Sequence, residues 1–437
     1  MENFGRKIVA FFFFLSIALY GARLDFDLYK KGEAEHALLV IGGIHGDEPG
    51  GYFAASFLVK HYKITEGELW VVPNLNFDSI VRFKRGVYGD MNRKFAEISP
   101  SDPDYEHVKR IKEIILKEKV HLVLNLHDGR GYYRKRWENT IFNPAAWGQA
   151  CIIDQEFVDG CEYGNLSEMA KRVNEKLNRK HLKEKHHIFN IKNTRTKFKD
   201  EQMRLSLTYF AITHNKPALA IETSKNIEDL ATKIYYQLSA IEEFMKIMGI
   251  EFQRDFELCT SKIEELISKS GSFVEISRGY ILPLDGLRSY INYFPVMDRG
   301  AVLKTKSDDP LAAVVKRGDI YTLQRGHLIR SRLRPQYFQK GEILKSVDAE
   351  IDGKEQNISI PSIVDVKESF KILAPSNLRV NVIGFSQKGI QNENNIEIGR
   401  DEIMKRYSVD SEGRLFRVEF YEKKSFRGSF LVRFQKK

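Results

Sequence analysis

Cysteine is scarce. Three residues in 437, Cys151, Cys161 and Cys259, cannot build a disulfide-stapled scaffold, although in an oxidising compartment Cys151 and Cys161 lie close enough in sequence to close a short loop. No internal repeat or low-complexity tract is visible, which removes solenoid and fibrous architectures. No aromatic-basic RNA motif and no helical DNA reader is visible either, so a nucleic-acid partner is not expected. With 42% hydrophobic residues the chain is not of disordered composition, and its length allows two or three domains with cores of their own. What is abundant is positive charge. A formal net charge of +10 favours a polyanionic partner or surface without naming it.

The N-terminus narrows the choice. Arg6 and Lys7 precede an uncharged, mostly apolar run from Ile8 to Tyr20 that is too short to span a membrane comfortably, and four successive phenylalanines, Phe11 to Phe14, leave it no polar face. This pattern predicts a signal peptide over residues 1–22, cleaved near Gly21 and Ala22 or kept as an anchor. An exported protein with this charge meets the cell envelope.

Residues 23–250 alternate apolar runs with amphipathic stretches, as expected of an α/β domain with a mixed, mainly parallel sheet. Strands are predicted at 36–41, 68–73, 120–126 and 217–222. A helix capped by Asp102 carries Val108, Ile111 and Ile115 on one face, and another, capped by Asn226 and stopped by Gly249, carries Ile234, Leu238, Ile241 and Met245. Beyond residue 250 the texture changes to short apolar runs punctuated by turn residues. It predicts two small all-β domains, a barrel-like one over 251–340 and a sandwich over 341–437, with strands at 378–384, 415–421 and 429–434.

The chemistry gathers in the first domain. His45-Gly-Asp-Glu48 follows an apolar run and sits among Gly42, Gly43, Gly46, Gly50 and Gly51, a setting for a loop between strand and helix. His127 ends a second run. Two imidazoles and a carboxylate are a usual protein set for a single catalytic zinc ion. Arg85, Asn92 and Arg93 lie in a turn-rich region, and arginines there suit a carboxylate or a developing oxyanion. Glu222, ending the run from Pro217, is the candidate general base. Trp147 is a candidate pocket wall.

The ordered set His45, Glu48, Arg85, Asn92, Arg93, His127 and Glu222 resembles the zinc carboxypeptidase A-like metallopeptidases. That resemblance implies one zinc ion on His45, Glu48 and His127, a substrate carboxylate held by Asn92 and Arg93, a carbonyl polarised by Arg85, and Glu222 as base. The chain is similar over nearly its whole length to the exported peptidoglycan DL-carboxypeptidases that set helical cell shape in Gram-negative bacteria, some of which carry glutamine at the first ligand position, where this chain has His45. This closer resemblance implies a periplasmic enzyme trimming a muramyl tripeptide to a dipeptide with release of meso-diaminopimelate, and a last domain of immunoglobulin-like type. The family's mobile active-site tyrosine has three candidates, Tyr132, Tyr133 and Tyr209. Two other readings use the same residues: a zinc deacylase of small N-acyl amino acids, and a non-catalytic envelope-binding protein. For the C-terminal half, the basic run Arg325, His327, Arg330, Arg332 and Arg334 suggests contact with an anionic envelope polymer.

Overall fold

The computed structural model describes residues 23–199, 201–297 and 303–436. The expected signal peptide at 1–22 lies outside the described residues.

The first domain is built on a seven-stranded sheet in the order Tyr29–Gly32, Glu68–Val72, Ala37–Ile41, Val120–Gly129, Ala218–Ser224, Ala150–Ile153, Asn190–Asn193. The four strands from Glu68–Val72 to Ala218–Ser224 run parallel, and antiparallel pairings occur only on either side of them. A parallel sheet needs cover on both faces. Accordingly Leu38, Val40, Leu122, Leu124, Leu219 and Ile221 are completely buried, and helices Pro49–His61 and Leu230–Ile247 pack together on one side. The sheet is mixed and mainly parallel, as expected.

Two strand ends differ from expectation in a way that matters for chemistry. The runs ending at Leu126 and Glu222 continue to Gly129 and Ser224, because they pair with each other: Glu222 lies in register with His127, Thr223 with Asp128 and Ser224 with Gly129. Both chemical side chains therefore stand on paired backbone rather than on loops.

Two helix starts are corrected. Asp102 does not begin a helix; its carboxylate accepts from the Asp104 N–H in a preceding turn, and the helix runs Tyr105–Ile115. Asn226 accepts from the Gly131 N–H, so Asp229 becomes the cap, taking the Ala231 and Thr232 N–H groups. That helix ends at Ile247, and Gly249 adopts φ +69°, the left-handed conformation that glycine allows without strain. Cys151 and Cys161 form no disulfide: the first is buried against the Asn174 side chain, and the second donates to the Asn215 carbonyl.

From Phe273 onward the described chain is β-rich. A three-stranded and a four-stranded sheet occupy the middle segment, followed by a five-stranded and a four-stranded sheet. The last two enclose Phe370, Ile372, Phe416, Val418, Phe420, Phe430 and Val432. The strand Leu415–Glu422 is buried on both faces, since its alternate residues Leu415 and Tyr421 join the core of the middle segment instead. The middle segment also meets the first domain, where Leu311 and Ala313 extend the core and Tyr52 Oη lies 2.6 Å from His327 Nδ1.

That contact corrects the reading of the basic run as a binding surface. Arg325 is fully buried, paired with buried Asp309 at 2.7 Å and donating to the carbonyls of Leu266 and Ile267. Arg330 donates to Ile267 as well, and His327 stacks on Phe83. Arg332 and Arg334 lie over the Tyr290 ring. Arg325 and Arg330 are thus engaged inside the protein, and His327 joins the middle segment to the first domain.

Candidate active site

At the carboxyl edge of the parallel strands, the turn from Ile41 to Pro49 and the ends of the His127 and Glu222 strands enclose a cavity of about 360 Å³. Glycines make the approach possible. A Cβ on Gly46 would lie 2.0 Å from the Ser79 carbonyl carbon, and one on Gly50 would lie 2.4 Å from Asp128 Oδ1.

His45, Glu48 and His127 are all buried and offer one ligand atom each within 4.8 Å of the others. Glu48 sits between the two rings, Oε1 3.0 Å from His45 Nδ1 and Oε2 2.8 Å from His127 Nδ1. His45 Nδ1 is buried without a hydrogen-bond partner, although its other nitrogen, Nε2, donates to Asp90 Oδ1 at 2.8 Å. A carboxylate on the outer nitrogen fixes the tautomer and turns the inner lone pair toward the Glu48 carboxylate. The two imidazoles and the one carboxylate gathered here fit a metal ion. Burial opposes the charge on Glu48, yet the neighbouring His45 and His127 outweigh it and hold the carboxyl well below its usual range.

Glu222 is 9% exposed, and its Oε2 is buried without a partner. It hangs over Gly129, where a Cβ would come within 2.7 Å of that oxygen. Burial, reinforced by the negative charges of Glu48 and Asp128, raises its affinity for a proton well above the usual carboxylate. A group in this state is ready to hold and pass on a proton.

Arg85, Asn92, Arg93 and Trp147 all line the same cavity. Arg85 reaches Glu48 Oε1 at 3.1 Å and Asp90 Oδ2 at 2.9 Å, and 46% of its side chain is exposed toward the opening. Asn92 is anchored at both ends, its N–H donating to Asp90 and its Oδ1 accepting from Leu207. Arg93 stands beside Met203. Trp147 is half-buried, with Lys192 Nζ 4.0 Å from its ring centroid. None of Tyr132, Tyr133 and Tyr209 is among the cavity-lining residues described.

Sequence reasoning missed three residues of this site. Asp90 joins His45, Arg85 and Asn92, and its place two residues before the Asn-Arg pair was the available signal. Lys225 approaches Asp47 at 2.7 Å and Glu48 at 3.6 Å; it follows Glu222 by three residues. Asn125 is fully buried at the cavity, with both amide atoms lacking partners, and it is the one amide in an apolar run. Ile152, Met203, Thr208 and Ala220 line the cavity with it.

The family comparison agrees with this geometry. Residues 6–268 match the profile of the carboxypeptidase controlling helical cell shape, catalytic domain, and residues 341–435 match the C-terminal domain of metallo-carboxypeptidase. The chain belongs to this family of metallo-carboxypeptidases. Among solved structures it is similar to the apo form of the cell shape determinant protein Csd4 from Helicobacter pylori, at 38% identity over 94% of this chain and 100% of that one, with a TM-score of 0.90. The tripeptide-bound form of that protein gives the same values. A form of it bound to mDAP, described as a D,L-carboxypeptidase, matches at 38% identity over 93% of this chain and 100% of that one, with a TM-score of 0.89. No curated protein matches.

Proposed function

We propose that this chain is a periplasmic, zinc-dependent D,L-carboxypeptidase that removes meso-diaminopimelate from the muramyl tripeptide of peptidoglycan, leaving the dipeptide. Membership of a family that controls helical cell shape supports the reading, as do the tripeptide and mDAP complexes of a relative that aligns along almost the whole chain. One observation carries the chemistry: Glu222 and His127 are register partners on adjoining parallel strands, so the unpaired Glu222 oxygen and the histidine–carboxylate trio share one cavity.

Zinc held by His45, Glu48 and His127 would supply Lewis acidity and water ionisable near neutral pH. The protein groups do the rest. Arg93 and Asn92 bind the carboxylate of the terminal residue, and this fixes which amide bond reaches the reactive centre. Glu222 takes the proton of the attacking water and delivers it to the leaving amine, a role worth roughly two to four orders of magnitude in rate. Arg85, at the cavity mouth, neutralises charge developing on the carbonyl oxygen. The leaving residue would extend toward Asn125, whose free donor and free acceptor suit a side chain that ends in both an ammonium and a carboxylate.

For the finer architecture we propose a barrel-like module over 251–340 and an immunoglobulin-like sandwich over 341–437. Two facing sheets around one aromatic-rich core support the second assignment.

The test is incubation of defined muropeptides with full-length protein, with and without chelator and beside Glu222→Gln, read by mass spectrometry. Tripeptide loses one diaminopimelate, chelator stops the reaction, and the variant is slower by at least about 100-fold. A tetrapeptide cut as fast as the tripeptide would refute the assignment of Asn92 and Arg93.

A further inference from the structure

The central sheet carries a second convergence of metal-binding groups at the edge opposite the catalytic cavity. His36 immediately precedes the strand Ala37–Ile41, and His121 is the second residue of the strand Val120–Gly129. Ala37 pairs with Val120 and Leu38 with Leu122, which leaves His121 as an extra residue in a bulge. Bulges redirect side chains. Here the imidazole of His121 lies against that of His36, with ring centroids 3.8 Å apart and planes inclined by 17°.

Glu162 completes the group from a separate loop, its Oε2 2.8 Å from His36 Nδ1. Tyr163 sets its ring edge-on to His36. One ligand atom from each of His36, His121 and Glu162 lies within 4.8 Å of the other two. The groups are accessible from solvent, with 33% of the His36 and 54% of the Glu162 side chain exposed. His121 and His127 are six positions apart along one strand, roughly 20 Å, so this cluster is independent of the catalytic trio.

A single imidazole would suffice for an ion pair with Glu162. The second histidine, brought alongside by an irregular backbone, adds instead another nitrogen donor. We propose that His36, His121 and Glu162 form a second divalent transition-metal site, of the two-histidine, one-carboxylate type that suits zinc or nickel, with its remaining coordination positions filled by water. Binding requires the stacked rings to tilt so that both nitrogens face one ion, and it ties the loop carrying Glu162 to the sheet edge.

Stoichiometry tests this directly. Full-length protein is stripped with chelator and titrated with zinc against a chromophoric competitor. Wild type is expected to take up two equivalents, His36→Ala/His121→Ala one, and His45→Ala/Glu48→Ala one. The His36/His121 variant keeps its muropeptide turnover, which shows that it has folded and separates failure here from failure of the catalytic reading. Because outer-shell losses already cost 10–100-fold, Glu162→Gln, on an exposed loop, weakens the second equivalent by at least about tenfold. A single equivalent in wild type, two in the His36/His121 variant, or a second equivalent filled only at millimolar zinc would overturn the proposal.

Discussion

Asp90 offers the sharpest test of how the site is organised, because three of its neighbours depend on it in different ways. Its Oδ1 accepts from His45 Nε2 at 2.8 Å and from the Asn92 N–H at 2.9 Å, and its Oδ2 meets Arg85 Nε at 3.0 Å. In Asp90→Ala, His45 loses the group that fixes its tautomer, Arg85 keeps only Glu48, and the turn before Asn92 loses its cap. Losing an outer-shell partner of a metal ligand costs about 10–100-fold in affinity, roughly 1.4–2.7 kcal/mol. The cap loss adds about 1 kcal/mol to the freedom of Asn92, which should appear as a raised KM for tripeptide. Asp90→Asn separates the effects: its amide oxygen still accepts from both His45 Nε2 and the Asn92 N–H, so metal affinity and KM recover, while its amino group faces Arg85 in place of Oδ2 and turnover stays low. The assays are zinc competition with a chromophoric chelator and steady-state release of diaminopimelate at saturating zinc. Affinity of Asp90→Ala within twofold of wild type would refute the orienting role, and a KM equally raised in both variants would refute the separation.

Asn125→Leu removes a buried amide whose two polar atoms lack partners, at a cost now of about 1–3 kcal/mol; thermal stability should hold or rise while KM for the diaminopimelate tripeptide increases, and a fall in Tm would contradict this. Gly129→Ala places a Cβ 2.5 Å from the Trp147 Cβ and 2.7 Å from Glu222 Oε2. It should cost about 1–3 kcal/mol in denaturant titration and at least about 100-fold in turnover, because the base is displaced; normal turnover would mean that Glu222 does not need its present position. His327 is pushed down to about 4 by burial, then by Arg330 and Lys233. The folded state therefore binds fewer protons than the unfolded one between about pH 6.5 and 4, so this contribution is complete above 6.5 and is lost as pH falls through that window. Discounted for partial exposure, the loss by pH 5 is about 1 kcal/mol, and the decline of Tm with acid should be shallower in His327→Asn; parallel curves would exclude His327 as the source.

What could be seen in the sequence follows from where each interaction is encoded. The parallel strands were legible because burial on both faces demands uninterrupted apolar runs, and His45, Glu48, His127 and Glu222 were legible because each stands at the margin of such a run. Their ends were not. Where Val120–Gly129 stops is decided by its partner Ala218–Ser224, two distant segments that prolong each other through the register Glu222 to His127. Asn226 and Asp102 look like helix caps locally, but each side chain is claimed by another N–H group, so the helices start later. Charge misled for the same reason. Arg325 and Arg330 read as surface groups until Asp309 and the carbonyl ends of a distant helix are placed beside them. Asp90 is the instructive case: its only local mark is the Asn-Arg pair two residues on, and its importance comes from His45, 45 residues away. A motif therefore identifies the groups that touch the reacting atoms, whereas the groups that hold them in place are specified by tertiary contacts. The variants that should distinguish this chain from a merely similar fold are Asp90→Asn and Asn125→Leu, neither of which replaces a residue of the motif.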